Sequence, residues 1–535
     1  MAGVDPRKSL AVTDTAIVNN TNFALVDVLD QLAAQSGIAG LTGTQLFQQL
    51  WDTQNPSTIG VTAGPHCSDG GTSTAGKVNG FAYNCRRSEG TQATTAATSI
   101  AQYNPIGLFN RFDLAPANGS DCGEYRIVYA KTPSGGQRNF IIFEAVLPNP
   151  SPTLGLEGCR PVTDLWSNLT AISSVSTRAA LLQDFYFNGI PGFPPVIHPD
   201  NYGAGTGRAT GQVRVNEFIT PSWMLREFKL RFTTIATTPP TTTLFFVPVT
   251  DKTNPFGGLF NNATTGTLAN EFRTTFFPSQ VASLAVNDIN AFNYAVPDKF
   301  NSGQSDSQSF GVVDDYLAQF GTGASTLRTN IQAQLTAMGS TLTPDNIVAR
   351  AEALSCAGCH QRSNGASLGG GLTWPSSAGF VHNLETTETG PDGLRFQLSS
   401  ALTGTFLPHR KQILDSFNST YRKCTAGTTP LAATSDACVA DVCAVDSHCC
   451  TTAWDSTCVN QVQSVCHDLI CPASQGTCAH TLCSIGVNLM ANCDTPPATS
   501  SCVANVCAAD PFCCNTFWDE VCIAEAKTTC SINCD

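Results

Sequence analysis

Five consecutive residues, Cys356-Ala357-Gly358-Cys359-His360, put two thiols three positions apart beside an imidazole. On a helical turn that spacing carries both sulfurs to one side, where they can add to the two vinyl groups of a single haem while His360 offers an axial nitrogen to iron. Three other chemistries use the same residue types: a short-range disulfide, a thioredoxin-like dithiol and a zinc site. A redox dithiol wants its first cysteine opening a helix, where the positive end lowers the thiol pKa, and this motif is expected to end one. Zinc would need a fourth ligand and would have to use the adjacent donors at 359 and 360. One covalent haem c, held by Cys356, Cys359 and His360, is the expected cofactor, with a Cys356–Cys359 disulfide as the alternative that stays open.

The elements around the motif support that placement. Thr343-Pro344-Asp345 is a helix start signal, and Ile347, Ala351 and Leu354 form one apolar face leading into the cysteines. Downstream, Ser363-Asn364-Gly365 and Gly369-Gly370-Gly371 are expected to be loops that let the backbone pass close to a flat cofactor. Residues 343–423 resemble c-type cytochromes. The resemblance implies haem joined to Cys356 and Cys359, with His360 as proximal ligand. Small soluble cytochromes of this kind commonly take a downstream Met as sixth ligand, but the methionines here are Met1, Met224, Met338 and Met490, none between His360 and the tail. The candidates for the sixth position are thus His409, His382 and Met338. His409 is preferred, because Pro408 suits a first helical turn and Leu414, Phe417 and Tyr421 follow at helical spacing; Met338 reads as a core side chain. Two strong axial ligands would confine the iron to one-electron transfer. An open sixth position would admit peroxide or oxygen, with Arg410, Arg395 or Arg362 stabilising developing negative charge, unless these are solvated charges or haem-propionate partners.

Cysteine usage divides the chain. Of 24 cysteines, six (Cys67, Cys85, Cys122, Cys159, Cys356, Cys359) lie before residue 424 and eighteen in the last 112 residues. Setting Cys356 and Cys359 aside leaves an even number in both parts, and Cys67–Cys85 and Cys122–Cys159 are plausible pairs by proximity. The tail, 424–535, begins with the linker Thr425–Thr434 and repeats itself at an offset of 64: Cys438, Cys443, Cys449, Cys450, Cys458 and Cys466 recur from Cys502 to Cys530, and Trp454-Asp455 recurs as Trp518-Asp519. A degenerate third copy (Cys478, Cys483, Cys493) lies between them. Each unit is expected to be two short helices, with Asp446 and Asp510 at cap positions, pinned by disulfides. The C-x4-C, vicinal CC and seven-residue gaps are not zinc spacings. The repeat, at about residues 436–534, resembles the Cys-rich C-terminal modules with a CC-xxx-WD core found on large secreted bacterial proteins, which implies surface display, anchoring or export sorting.

Residues 1–342 read as an α+β body. Leu25, Val28, Leu29 and Leu32 fall at helical spacing and Thr163 to Asn188 is helix-like. Strand-like runs are 125–129, 140–143, 212–219 and 244–249, the first two flanking a hairpin through Pro133-Ser134-Gly135-Gly136. An antiparallel sheet with packed helices is expected. Asn110-Arg111-Phe112-Asp113, Glu124, Glu144 and Glu217 could line a cleft for hydrolytic work or pair as ions on a sheet. His66-Cys67 and His198-Pro199-Asp200 read as structural loop residues. The body resembles uncharacterised secreted bacterial proteins that carry a SCAGCH-type segment, a likeness that names no activity.

Composition sets the outer limits. Charged residues are 13% and the formal net charge is −13, which argues against both a charge-driven disordered chain and binding to a phosphate backbone. No run of about 18 apolar residues marks a membrane span. So many thiols imply an oxidising compartment: periplasm, cell surface or the exterior. As Met1-Ala2-Gly3-Val4-Asp5 is no export signal, the sequence is read as a mature chain with its leader removed. The sequence therefore points to an exported mono-haem protein that passes single electrons to a redox partner protein or a small-molecule oxidant. Its rivals are a haem peroxidase or oxygenase, and an extracellular binding or structural protein whose CxxC is a disulfide.

Overall fold

Period-two alternation in the first part of the chain is expressed as one antiparallel sheet. Its strands are β1 (Ala11–Val12), β2 (Tyr103–Arg111), β3 (Asp121–Lys131), β4 (Arg138–Pro148), β5 (Gln212–Ile219), β6 (Ser222–Ile235), β7 (Thr241–Val249) and β8 (Ser305–Asp306). They run in the order β1-β2-β3-β4-β5-β6, and β7 and β8 both pair with β6. A computed structural model of the chain describes residues 3–532 apart from 20–22, 52–75, 84, 87–88, 133–137, 220–221, 236–240, 308–312, 424–425, 432, 434–436, 466–475, 478–480, 484–485, 488, 490–492, 495–501, 511, 516, 519 and 531. All four strand-like runs of the sequence fall within strands. β3 and β4 pair as expected, with Tyr129 opposite Ile141 and Ala130 opposite Phe140; the connecting Pro133 to Gly136 lie outside the described residues.

Helices follow the apolar spacing. In α1 (Leu25–Gln35) the residues Leu25, Val28, Leu29 and Leu32 are all buried. After α2 (Gly43–Trp51), the helix-like stretch before Asn188 proves to be two helices, α3 (Arg160–Asn168) and α4 (Val175–Phe187). The second starts where Ser174 accepts a hydrogen bond from the Thr177 N–H, a side-chain cap that separates the two. These helices cover one sheet face. Tyr125 packs edge-on against Phe185, Tyr129 against Phe143, and Phe143 against Tyr202. Cys122 and Cys159 form a disulfide that ties β3 to the turn before α3. Cys85 is also disulfide-bonded, and Cys67, its expected partner, lies outside the described residues.

A second core forms around α5 (Thr326–Ala337) and α6 (Pro344–Leu354), the helix before the CxxCH motif. Ile347, Val348 and Ala351 of α6 join Phe260, Tyr316 and Ile331 in it. An eleven-residue helix cannot bury its apolar stripe alone, so the segment expected over 343–423 is not separately packed: the chain divides into Met1–Asp415 and Ser416–Asp535, with α6 in the first unit. The first unit also contains the hairpin β9 (Asn383–Gly390) and β10 (Gly393–Leu398), and α7 (Leu407–Arg422) starts within it.

In the second unit, the repeat folds as three short helices per copy rather than the two expected: α8 (Ala437–Val445), α9 (His448–Thr451) and α10 (Ser456–Val465), then α11 (Cys502–Ala509), α12 (Phe512–Asn515) and α13 (Glu520–Cys530). The vicinal cysteines explain the extra helix, because each pair reaches two partners at once. Cys450 bonds Cys443 and Cys449 bonds Cys458; 64 residues on, Cys514 bonds Cys507 and Cys513 bonds Cys522. Cys502–Cys530 closes the second copy. Asp446, expected at the cap, lies one residue before the Ser447 N-cap and accepts from the His448 N–H at 3.0 Å. Trp454 and Trp518 are buried equivalents, each donating its indole N–H to a backbone carbonyl, at Lys423 and Leu482. No described helix is long and apolar enough to cross a membrane.

Candidate functional site

The sheet face turned away from α4 is the floor of a cavity of about 770 Å³. Arg126 and Val128 of β3, Ile142 and Glu144 of β4, and Arg214 and Asn216 of β5 reach it because they share one parity in three registered strands. Cys356, Cys359 and His360 line the same cavity, together with His382, Trp374 and Arg410. The volume lies within the roughly 300–1,000 Å³ of small-molecule and cofactor sites.

Local chain chemistry brings the motif there. Thr343 and Asn346 form a capping box that starts α6. The helix stops at Leu354, Ser355 is extended (φ −71°, ψ 161°), and a new helical turn spans 356–362. Ser355 opens it: its Oγ accepts from the Gly358 N–H at 3.0 Å and its carbonyl from the Cys359 N–H at 2.9 Å. The motif thus opens a turn instead of ending a helix, which removes that ground for setting aside a redox dithiol. Burial supplies a different ground. It raises the Cys356 thiol well above its ordinary range and pushes Cys359 up to about 11, leaving little thiolate at neutral pH. Gly358 is sterically required, since a Cβ there would overlap the carbonyl oxygen of Glu352. Among the described residues, Cys356 and Cys359 are the free cysteines.

The imidazoles are held by their Nδ1 atoms. His360 Nδ1 donates to the Phe380 carbonyl at 2.8 Å, and Phe380 adopts φ +70°, a left-handed conformation that a bulky residue keeps only when its surroundings enforce it. Arg138 supplies that enforcement, donating to the carbonyls of Ala378 and Gly379 and pairing with Glu385. His382 Nδ1 is hydrogen-bonded to Ser399 Oγ at 2.9 Å and its Nε2 to the Cys359 sulfur at 3.4 Å. The two imidazole rings are 5.1 Å apart, and Trp223 stacks on His360 at 5.3 Å. Burial pushes His360 down to about 4 and His382 down to about 3, so both rings are neutral near pH 7, the form that ligates metals. A single zinc ion needs a tighter donor set. Among the described residues the only three donors within 4.8 Å of one another are those of Asp510, Cys513 and Glu525, and Cys513 is already bonded to Cys522.

The other sequence candidates are distributed as follows. His409 lies on α7 but not on the cavity wall, whereas its neighbour Arg410 does. Met338 caps α5 at 43% exposure, so it belongs to the surface and not to a core. Arg362 is occupied by Asp315, Glu352 and the Ser307 carbonyl, and Arg395 pairs with Glu388 across β9 and β10. Arg111, Glu124 and Glu144 do line the cavity. Their charges are paired: Arg111 grips Asp113, while Glu124 and Glu144 meet Arg126 and Arg214. Glu217 faces Arg86 instead. Gly369, Gly370 and Gly371 all take positive φ, but they turn a loop whose Leu368 and Gly369 carbonyls clasp Arg350, so they shape a fold contact, not the cavity. His198 accepts from the Asp200 N–H and caps a short helix; His66 and Cys67 lie outside the described residues. Arg126 and Arg214 were missed because they interrupt apolar runs, although the parity they share with Glu124 and Asn216 marks them as a common face.

Close to the motif, Asp314 accepts from the Asp306 N–H and burial pushes its carboxyl up to about 8. It therefore stays protonated in the folded chain at neutral pH, whereas the unfolded chain releases that proton above about pH 4. Its contribution to stability falls as pH rises from about 4 through about 8. Asp314→Asn is expected to raise stability at pH 8 by about 2 kcal/mol or more and to change little at pH 4. Thermal unfolding of both proteins at the two pH values checks this, and equal gains at both would refute it.

A family model described as a domain of unknown function (DUF8252) matches residues 419–471 and 476–534, so each stretch contains one copy of the repeat. No curated protein and no solved structure matches the chain.

Proposed function

We propose that the chain is an exported mono-haem c-type protein whose role is one-electron transfer. One observation carries the reading: the two free described cysteines and the histidine that follows them line a single cavity of about 770 Å³. The donor set fits the group. Cys356 and Cys359 would hold haem through two thioethers, and His360, with Nδ1 occupied by the Phe380 carbonyl, would present Nε2 to the iron. Haem, when bound, supplies a one-electron couple. His382 is favoured over His409 for the sixth position because it lines the cavity and its Nδ1 is likewise occupied. A thioether at Cys359 would have no S–H to hold His382 Nε2, the atom 3.4 Å from that sulfur. Phe292, Trp374 and Phe406 on the cavity wall would exclude water. Disulfides on this scale favour the periplasm, cell surface or exterior, and the tail repeats suit attachment or assembly there.

A visible spectrum of the chain, exported by a host that attaches haem, tests the reading. A Soret band with sharp α and β bands on reduction is expected, with no change on adding carbon monoxide. His382→Ala is expected to create a carbon monoxide response and His409→Ala to leave the spectrum unchanged. A response in the unaltered protein would move the reading to peroxidase or oxygenase chemistry at an open site. A colourless protein would leave an extracellular binding or structural role.

A further inference from the structure

One carboxylate in the cavity region faces two guanidinium groups. Asp113 accepts three hydrogen bonds from Arg111, at 2.9, 3.2 and 2.8 Å, and lies 3.7 Å from Arg410. The Arg410 side chain is 12% exposed, lines the cavity, and makes no hydrogen bond among the described residues. Burial and the neighbouring charge of Arg111 both disfavour its cation, while Asp113 offsets them only in part. A charged guanidinium with unused donors in a partly apolar cavity is stabilised by an anion, and its planar fork matches a carboxylate.

We infer that Arg410, with Arg111 beside it, is an anion subsite for a carboxylate-bearing ligand. The carboxylate has two sources: a propionate of a haem tethered at Cys356 and Cys359, or a free small carboxylate that enters the cavity. The subsite stands on the charge arrangement alone and holds whether or not haem is attached.

Calorimetric titration with succinate tests it on the full exported chain, made in one host lacking haem-attachment machinery and in another possessing it. The haem-free protein is expected to bind succinate, with affinity at least tenfold weaker in Arg410→Gln and unchanged in Arg395→Gln. Loss of succinate binding in the haem-loaded protein would assign the subsite to propionate; retention would assign it to a free carboxylate. Should no host yield a coloured protein, the haem-free titration still decides the subsite. Phenylglyoxal modification of Arg410 in the unaltered chain, followed by peptide mass, keeps the test independent of how the variant folds, and succinate is expected to slow it. Absence of succinate binding, equal affinity in Arg410→Gln, or no protection would each overturn the subsite.

Discussion

Glu89→Ala is expected to lower the stability of the first unit by about 3–5 kcal/mol, the cost of removing one partner from a buried ion pair. Glu89 is fully buried between two guanidinium groups, with Arg86 Nε at 3.3 Å and Arg226 Nη1 at 3.6 Å, and it also accepts from the Arg86 N–H. Both arginines are committed to their places. Arg86 lies 4.2 Å from the Trp51 ring and Arg226 3.9 Å from the Tyr83 ring, and Arg226 is 0% exposed. Neither can swing into water without unpacking aromatic neighbours, so the lost carboxylate leaves two desolvated cations, of which Arg86 still has Glu217 at 3.8 Å. Urea unfolding should show an earlier first transition in Glu89→Ala, and a midpoint unchanged from the parent would refute this expectation. Glu89→Gln, which keeps the acceptor oxygen but not the charge, is expected to fall between them.

Gly358→Ala is the second large effect, and it couples fold to site. The added methyl would overlap the Glu352 carbonyl, a backbone atom at the end of α6 that has no flexible route away. Glu352 is itself held by the Leu317 N–H at 3.1 Å and by Arg362. Overpacking against fixed backbone costs about 1–3 kcal/mol and sometimes more, and relief must come from displacing the turn that carries Cys356, Cys359 and His360. The variant is expected to lose about 3 kcal/mol of stability and, on the haem attachment proposed above, most of that attachment. Pulse-chase export with haem staining of denaturing gels reads the second loss, and full haem incorporation in Gly358→Ala would contradict the close approach.

The sequence was most readable where local chemistry and tertiary role agree. Gln212 to Ile219 alternates, pairs on both sides and coincides with β5. Thr343 and Pro344 start α6 as their types require. Legibility fails where burial is achieved with charge. β6 went unread because Arg226 and Glu227 break its apolar run, and both are buried in ion pairs that no period-two count of hydrophobic residues detects. β2 was hidden by Pro105 and Gly107, which the strand accommodates at a register shift against β3. The β9–β10 hairpin carried an unread signal, Gly390-Pro391-Asp392-Gly393, a turn sequence between two alternating stretches. At the cavity, the CxxCH motif singled out three residues that line it, Cys356, Cys359 and His360. His382 was harder to rank against His409, because reaching the cavity depends on Arg138 holding the Phe380 loop from a strand more than 200 residues earlier.

Intact mass of the exported full chain, taken after acid extraction of unattached porphyrin and alkylation of every accessible thiol under denaturing conditions, tests the central claim most directly. A chain heavier by one haem is expected, with Cys356 and Cys359 both refractory to alkylation. A bare polypeptide mass, with those two sulfurs alkylated or joined to each other, would contradict it.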